Sequence, residues 1–337
     1  MDLKFTFRPV GDAPVFSIAP CSTRMVTAYE DRAGRYHIFT DVCDHERDTP
    51  FENKLDSWDA EIGYYSSPDL KSFTDHGVVV EKGRWSGDPA TSDLDCVGVA
   101  SPGVTVAGDK VLLFHAGRGP VDPAGPFQPT LDRADLPGQV FLSVADADEN
   151  GAPAGPFVKQ GPITDFGAPW RSIRHDDPCP VATEDEVLVF YKGIGSGKAY
   201  GNRVAALARA PIDRPAGPYT LHPDPVLSAP SGGEIPRVFR VGETWHMFYV
   251  RYAADSQLRG RVFGHYTATD PTEWTLVDDR LYESESPKPG QGAADMCPIW
   301  SPFAPGPPKL AFAARLDDGT YGDAGRLKQW LFEIQQE

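Results

Sequence analysis

Hydrophobic and polar positions alternate in short runs along the chain, and the runs stop at polar turns rich in Gly and Pro. One phrase returns five times: a polar turn, then four to six mostly β-branched or aromatic residues closing on a Phe. It reads AGRYHIFTDV, GDKVLLFHAG, EDEVLVFYKG, GETWHMFYVR and PPKLAFAARL. The closing residues are Phe39, Phe114, Phe190, Phe248 and Phe312, spaced by 75, 76, 58 and 64 residues. Each interval is too long for one hairpin. Between these phrases lies a second motif, an alternating strand, a turn holding Asp or Pro, and an aromatic residue that opens another strand. It occupies 62–77, 140–161, 204–223 and 263–279.

Each unit therefore holds about four short strands. Amphipathic helical periodicity is nearly absent, and Gly and Pro punctuate every connection, so long helices are not expected. Four-stranded units repeated around an axis predict an all-β fold, a five-bladed β-propeller with four-stranded blades around a central axis, as a single domain over 1–337. The alternating LKFTFRPV at the start is expected to add a strand to the last blade, which would hide two sheet edges.

Composition narrows the partners. The 32 Lys and Arg against 48 Asp and Glu give a net charge of −16, and no basic block interrupts the acidic background, so nucleic acid is not an expected partner. No apolar run reaches the length of a membrane span, and the opening MDLKFTFRPVGDAP lacks the apolar stretch of a signal peptide. No membrane partner and a cytoplasmic location are expected. The five cysteines, Cys21, Cys43, Cys96, Cys179 and Cys297, form no close pair and read as free thiols.

In a propeller the innermost strands line the axis, so the residues that lead into them converge at one mouth. Counting back from each Phe finds Asp177 thirteen residues before Phe190, Glu234 fourteen before Phe248, and Asp295 seventeen before Phe312. The phrases DPCP, EIPR and DMCP then superpose, and a carboxylate heads the inner strand of blades three, four and five. In blade two the count lands on Ser101, with Asp95 six residues earlier; in blade one it lands near Arg24 and Met25. Paired carboxylates across a closed mouth suit glycosidic bond cleavage. One protonated acid assists the leaving oxygen while another carboxylate activates water or attacks the sugar.

The combination of YYSSPDLKSF, SPGVTVAGDKVLLFHAG, DDPCPVATEDEVLVFYKG and EIPRVFRVGETWHMFYV resembles the five-bladed glycosidases of glycoside hydrolase family 43 and its relatives, over nearly the whole chain. The resemblance implies a general-base Asp in blade one, an Asp in blade three that orients and tunes the acid, and a general-acid Glu in blade four. By position Asp177 resembles the tuning Asp and Glu234 the acid, with Arg237 following in the same strand. The sequence departs from that pattern in blade one, where Cys21, Ser22, Thr23 and Arg24 stand, and in blade five around Asp295. Candidates for the base are then Asp95, Asp176, Asp295 or the Asp41/Asp44 pair, and His175 is an alternative acid or base, as a His is in a related anhydro-sugar glycosidase family.

An aromatic platform commonly holds a sugar face. Trp170 is the expected platform, with Arg171 and Arg174 beside it; Trp85 and Trp300 have similar claims, and Trp245 and Trp330 are expected to pack between blades. No cofactor is expected, an axial divalent cation held by Asp95, Asp177 and Asp295 being the alternative. The expected activity is a glycoside hydrolase taking a terminal sugar or a short oligosaccharide. The rival readings are a non-hydrolytic carbohydrate-binding propeller and a propeller lyase, cyclase or transferase acting on a small metabolite.

Overall fold

The structure is a computed structural model and describes residues 4–17, 25–43, 60–120, 137–195, 203–229, 232–252, 261–282, 296–304, 306–315 and 328–336. Its described elements are strands, apart from two short 3-10 turns at Pro89–Thr91 and Pro169–Arg171. After β1 (Phe5–Pro9), β2 (Val26–Glu30), β3 (Tyr36–Cys43), β4 (Ala60–Ser67) and β5 (Thr74–Val80) form one antiparallel meander. The next comprises β6 (Gly98–Ala107), β7 (Lys110–Arg118), β8 (Gly138–Asp146) and β9 (Val158–Pro162). It is followed by β10 (Arg174–Ala182), β11 (Glu186–Ile194), β12 (Arg203–Pro211) and β13 (Thr220–Leu221), then by β14 (Gly233–Val241), β15 (Thr244–Tyr252), β16 (Arg261–Ala268) and β17 (Thr275–Tyr282). The last sheet contains β18 (Met296–Ile299), β19 (Leu310–Arg315) and β20 (Lys328–Gln336), and β1 completes it by pairing antiparallel with β20 from Phe5 opposite Gln336 to Pro9 opposite Phe332. The second and third meanders are joined into one eight-stranded sheet by a single parallel bridge, Arg174 opposite Gly138.

The first strands of the meanders touch in a closed cycle, β2 with β6, β6 with β10, β10 with β14, β14 with β18 and β18 with β2. The repeating Phe residues explain the cycle. All five are fully buried, and each lies in an apolar cluster between its own meander and the next: Phe39 packs with Val104 and Leu113, Phe114 with Val189 and Ala206, Phe190 with Met247 and Tyr249, Phe248 with Ala313 and Phe332, and Phe312 with Ala28 and Ile38. Truncating one such Phe removes roughly 3–5 kcal/mol of packing. Trp245 and Trp330 are buried in these clusters. Among the described residues no helix is long and apolar enough to cross a membrane.

The Phe residues also set the height of the inner strands. Each pairs with one inner-strand residue: Phe39 with Thr27, Phe114 with Gly103, Phe190 with Cys179, Phe248 with Arg237 and Phe312 with Cys297. In β6, β10 and β14 a β-bulge interrupts the pairing just ahead of that residue, between Ala100 and Gly103, Asp176 and Cys179, and Glu234 and Arg237. The bulge residues Ser101, Asp177 and Ile235 have φ of 52°, 54° and 57°. This left-handed conformation suits a Ser or Asp better than a β-branched residue, and at Ile235 it costs on the order of 1–3 kcal/mol. Bulges of this kind re-aim side chains.

Gly103 marks a close approach of two inner strands, since a Cβ there would run into the carbonyl oxygen of Pro178 in β10. Gly103→Ala is therefore expected to cost about 1–3 kcal/mol, as overpacking does. A thermal melt checks this, and an unchanged melting temperature would refute the close approach.

Candidate active site

The bulges correct the superposition of the inner strands. In all three, the paired residue follows the last residue before the bulge by three, so Glu234 is equivalent to Asp176 and to Ala100, while Asp177 is equivalent to Ile235 and Ser101. The two carboxylates singled out in β10 and β14 thus start from different bulge positions and nevertheless meet at one cation.

That cation is Lys192. It lies in β11 opposite Asp176, and its Nζ is 2.7 Å from Asp177 Oδ2, 3.2 Å from Glu234 Oε2 and 3.4 Å from Asp176 Oδ2. Arg203 Nη1, from β12, donates to the same Glu234 oxygen at 2.7 Å. All these side chains except that of Arg203 are at most 6% exposed, and charges removed from water to that degree persist only when paired. Asp176 has further partners in Arg174 Nε at 2.8 Å and an Arg118 nitrogen at 3.5 Å. Burial alone would raise its pKa, but Arg174, Lys192 and Arg118 outweigh burial and hold the carboxyl well below the usual range. Asp176, an expected base candidate, thus sits as a carboxylate fastened between Arg174, Lys192 and Arg118.

Arg237 follows Glu234 by three residues in β14. It is 1% exposed and is the largest fully buried side chain of the described residues. Its guanidinium crosses the channel and donates to Val26 O of β2 at 3.3 Å. It therefore fills the axis below the mouth, at the level where the other inner strands carry Thr27, Gly103, Cys179 and Cys297.

His175 is committed to the scaffold. Its Nε2 donates to Arg171 O at 2.9 Å and its Nδ1 is 2.8 Å from Thr164 Oγ1. Because a carbonyl only accepts, the ring is the neutral Nε2–H form. Burial lowers its pKa to about 4, and Phe166 and Tyr191 flank the ring. Expected as an alternative acid or base, His175 has both of its nitrogens engaged, tying the two ends of the connection between β9 and β10 to β10. Trp170, in the 3-10 turn, is half-buried against Gly193, where an added Cβ would stand 2.9 Å from the ring. It plugs this loop onto β11 with the Arg171 guanidinium 5.5 Å from its ring centre. Trp300 lies at the far end of β2, where its carbonyl accepts from Glu30 N, and Trp85 is half-buried in the loop after β5.

The described carboxylates expected to share a cation each have a cationic side chain as partner. Asp95 pairs with Lys159 of the outermost strand β9, the Lys192 ammonium stands against Asp177, and Asp295 lies outside the described residues, as do Asp44 and Cys21. Among the described residues no group of three or more His, Cys, Asp or Glu could hold a metal ion. Cys96, Cys179 and Cys297 are buried free thiols, which accords with the sequence.

Sequence reasoning missed Lys192 and Arg203, although a signal for the first was present. Two residues after the repeating Phe stand Asp41, Ala116, Lys192, Val250 and Ala314. The second strand of each meander presents that position beside the bulge, as Ala116 opposite Ala100, Lys192 opposite Asp176 and Val250 opposite Glu234 show.

No family model and no curated relative matches the chain. Solved structures do. Zg3597, a family 117 glycoside hydrolase of the marine bacterium Zobellia galactanivorans, is 17% identical with a TM-score of 0.65, over 98% of this chain and 90% of that one. The catalytic domain of a family 62 α-L-arabinofuranosidase of Coprinopsis cinerea is 13% identical with a TM-score of 0.59, over 99% and 97%. A family 43 arabinoxylan arabinofuranohydrolase of Bacillus subtilis is 15% identical with a TM-score of 0.61, over 96% of this chain and 66% of that one. The resemblance to family 43 and its relatives therefore holds across the whole architecture, and the chain has the β-propeller fold of these glycoside hydrolases.

Proposed function

We propose that the protein is a five-bladed propeller glycoside hydrolase that removes a terminal sugar, or processes a short oligosaccharide, at the axial mouth. One observation carries this reading: Asp177 and Glu234, from neighbouring inner strands, share the Lys192 ammonium in a secluded site. Glu234 is the acid that protonates the leaving oxygen. Its contacts with Arg203 and Lys192 are those of an ionised carboxylate, so donation follows once the group takes up a proton as the sugar enters. Asp177 holds Lys192 and thereby orients Glu234. Inversion is expected where a second carboxylate leaves room for water. Arabinofuranosides are the first substrates to try, because two of the similar structures above are named for that sugar.

A non-hydrolytic carbohydrate-binding propeller is the second reading, favoured by cations that already neutralise both carboxylates and by the absence of an acidic residue from Cys21–Arg24. Hydrolysis of aryl glycosides and natural oligosaccharides by wild type, Asp177→Asn and Glu234→Gln separates the two. Natural leaving groups are essential, since an aryl group departs with little acid help. The hydrolase reading expects sugar release and a fall of about 100-fold or more in each folded variant. No release from any substrate, while sugars still raise the melting temperature, would establish binding alone.

A further inference from the structure

We infer that the mouth takes a saccharide carrying an oxyanion, a uronate carboxylate or a sulfate ester, held by Arg118, Arg174 and Arg203; the inference rests on the reading above in placing a sugar there. The three arginines stand in one rung of the eight-stranded sheet. Arg118 of β7 lies opposite Gly138 of β8, and Gly138 bridges to Arg174 of β10. Arg174 lies opposite Ile194 of β11, which in turn lies opposite Arg203 of β12. Opposite residues of neighbouring strands share a face of the sheet, so the rung carries an arginine on every second strand along one face. Gly138 makes room between the first two, since an added Cβ there would stand 3.0 Å from Arg174 Cγ. The rung also marks strand ends: Arg118 closes β7, and Arg174 and Arg203 open β10 and β12.

The three side chains converge on the carboxylates of the site. Arg118 and Arg174 both reach Asp176, Arg203 reaches Glu234, and Lys192 reaches Asp176, Asp177 and Glu234. These contacts join four cations to three carboxylates, although the chain as a whole has a net charge of −16. Among the described residues the cluster therefore holds one positive charge in excess. Its cationic side chains are only 5% to 13% exposed, and a charge so far from water calls for a counter-charge. Arg174 feels the crowding directly: burial lowers its pKa, Asp176 opposes this, and Arg118 and Arg203 reinforce it. An anionic ligand relieves that repulsion.

Guanidinium groups suit this task because each presents a planar fork of donors that matches two oxygens of a carboxylate or a sulfate. Arg203 donates to a Glu234 oxygen at 2.7 Å, so an oxyanion on the rung stands next to the carboxylate proposed as the acid. The anionic group therefore lies on the sugar at the scissile bond or on its immediate neighbour. A neutral sugar of the same shape forgoes these contacts.

Calorimetric titration of the full chain tests this with D-galacturonate and D-galactose 6-sulfate against D-galactose, and with D-glucuronate against D-glucose. An anionic sugar should bind about tenfold or more tighter than its neutral counterpart, and the arm that shows the preference identifies the carboxylate or the sulfate ester. Raising NaCl from about 0.05 M to about 0.5 M should weaken the anionic sugar and leave the neutral one unchanged. Arg118→Gln leaves Asp176 with Arg174 and Lys192, so it is expected to fold, and it should cut the preference by about tenfold. Arg118→Lys keeps the charge without the fork and should recover only part of it. The salt arm needs no variant, so it decides the matter even where Arg118→Gln does not fold. Neutral sugars bound as tightly as the anionic ones, or turnover of arabinoxylan oligosaccharides by a wild type that binds no anionic sugar, overturn the inference and leave the sugar-binding mouth standing. A wild type that binds none of these sugars and cleaves no oligosaccharide overturns both.

Discussion

Lys192→Met is expected to destabilise the protein by about 3–5 kcal/mol at neutral pH, the cost of breaking a buried ion pair by removing one partner. Methionine matches the stem of lysine, so the loss reflects charge more than volume. Asp176 retains Arg174 and Arg118, and Glu234 retains Arg203, but Asp177 is left 4% exposed without its ammonium. The penalty should shrink in the double variant with Asp177→Asn, giving a coupling energy above about 1 kcal/mol in a double-mutant cycle. Urea unfolding at pH 7 measures both. A loss below about 1 kcal/mol at pH 7 would mean that the ammonium does not hold the cluster together.

Acidification from pH 7 to 5 should lower the melting temperature steeply even without any variant. Burial lowers the pKa of His115 to about 3, and those of His175, His246 and His265 to about 4. The coulombic influence of Lys159 adds to the effect at His115, and His246 adds to it at His265. The last two rings are stacked, with His246 Nδ1 3.0 Å from His265 Nε2, and both meet the Phe5 ring in T-shaped contacts. The unfolded chain binds protons at these residues below about pH 6.5, where the folded protein still refuses them. Stability therefore rises with pH across the window from about 4 to 6.5 and is lost as pH falls through it. At pH 5 each independent group costs on the order of 2 kcal/mol, and the stacked pair titrates as one coupled unit. Together they rival the whole stability of an ordinary domain. His115→Gln should flatten the dependence by about one group. A melting temperature constant between pH 7 and 5 would contradict the buried neutral histidines.

The strands, their four-stranded grouping and the pairing of β1 with the last sheet were legible in the chain. Local alternation and the repeating Phe carry them, and each of those Phe residues does bury between neighbouring meanders. Asp177 and Glu234 were legible for the same reason, since they stand at a readable distance before a repeating residue. Their equivalence was not, because a bulge adds residues to one strand of a pair without any fixed sequence mark. Nor could local pattern assign His175 to the scaffold, since its partners Thr164 and Arg171 come from the non-repeating connection between β9 and β10.

What the sequence alone determined is thus everything that depends on spacing within one unit: the strands, the apolar anchors and the carboxylates near the mouth. What only the tertiary structure decided is everything that depends on contact between units. Lys192 meets Glu234 across 42 residues, Arg203 meets it across 31, and Asp41 meets Ser101 across 60. These distances close only when the inner strands gather around the axis, and the burial that gathers them is non-directional. The charge pattern at the mouth is fixed by where that packing leaves each side chain.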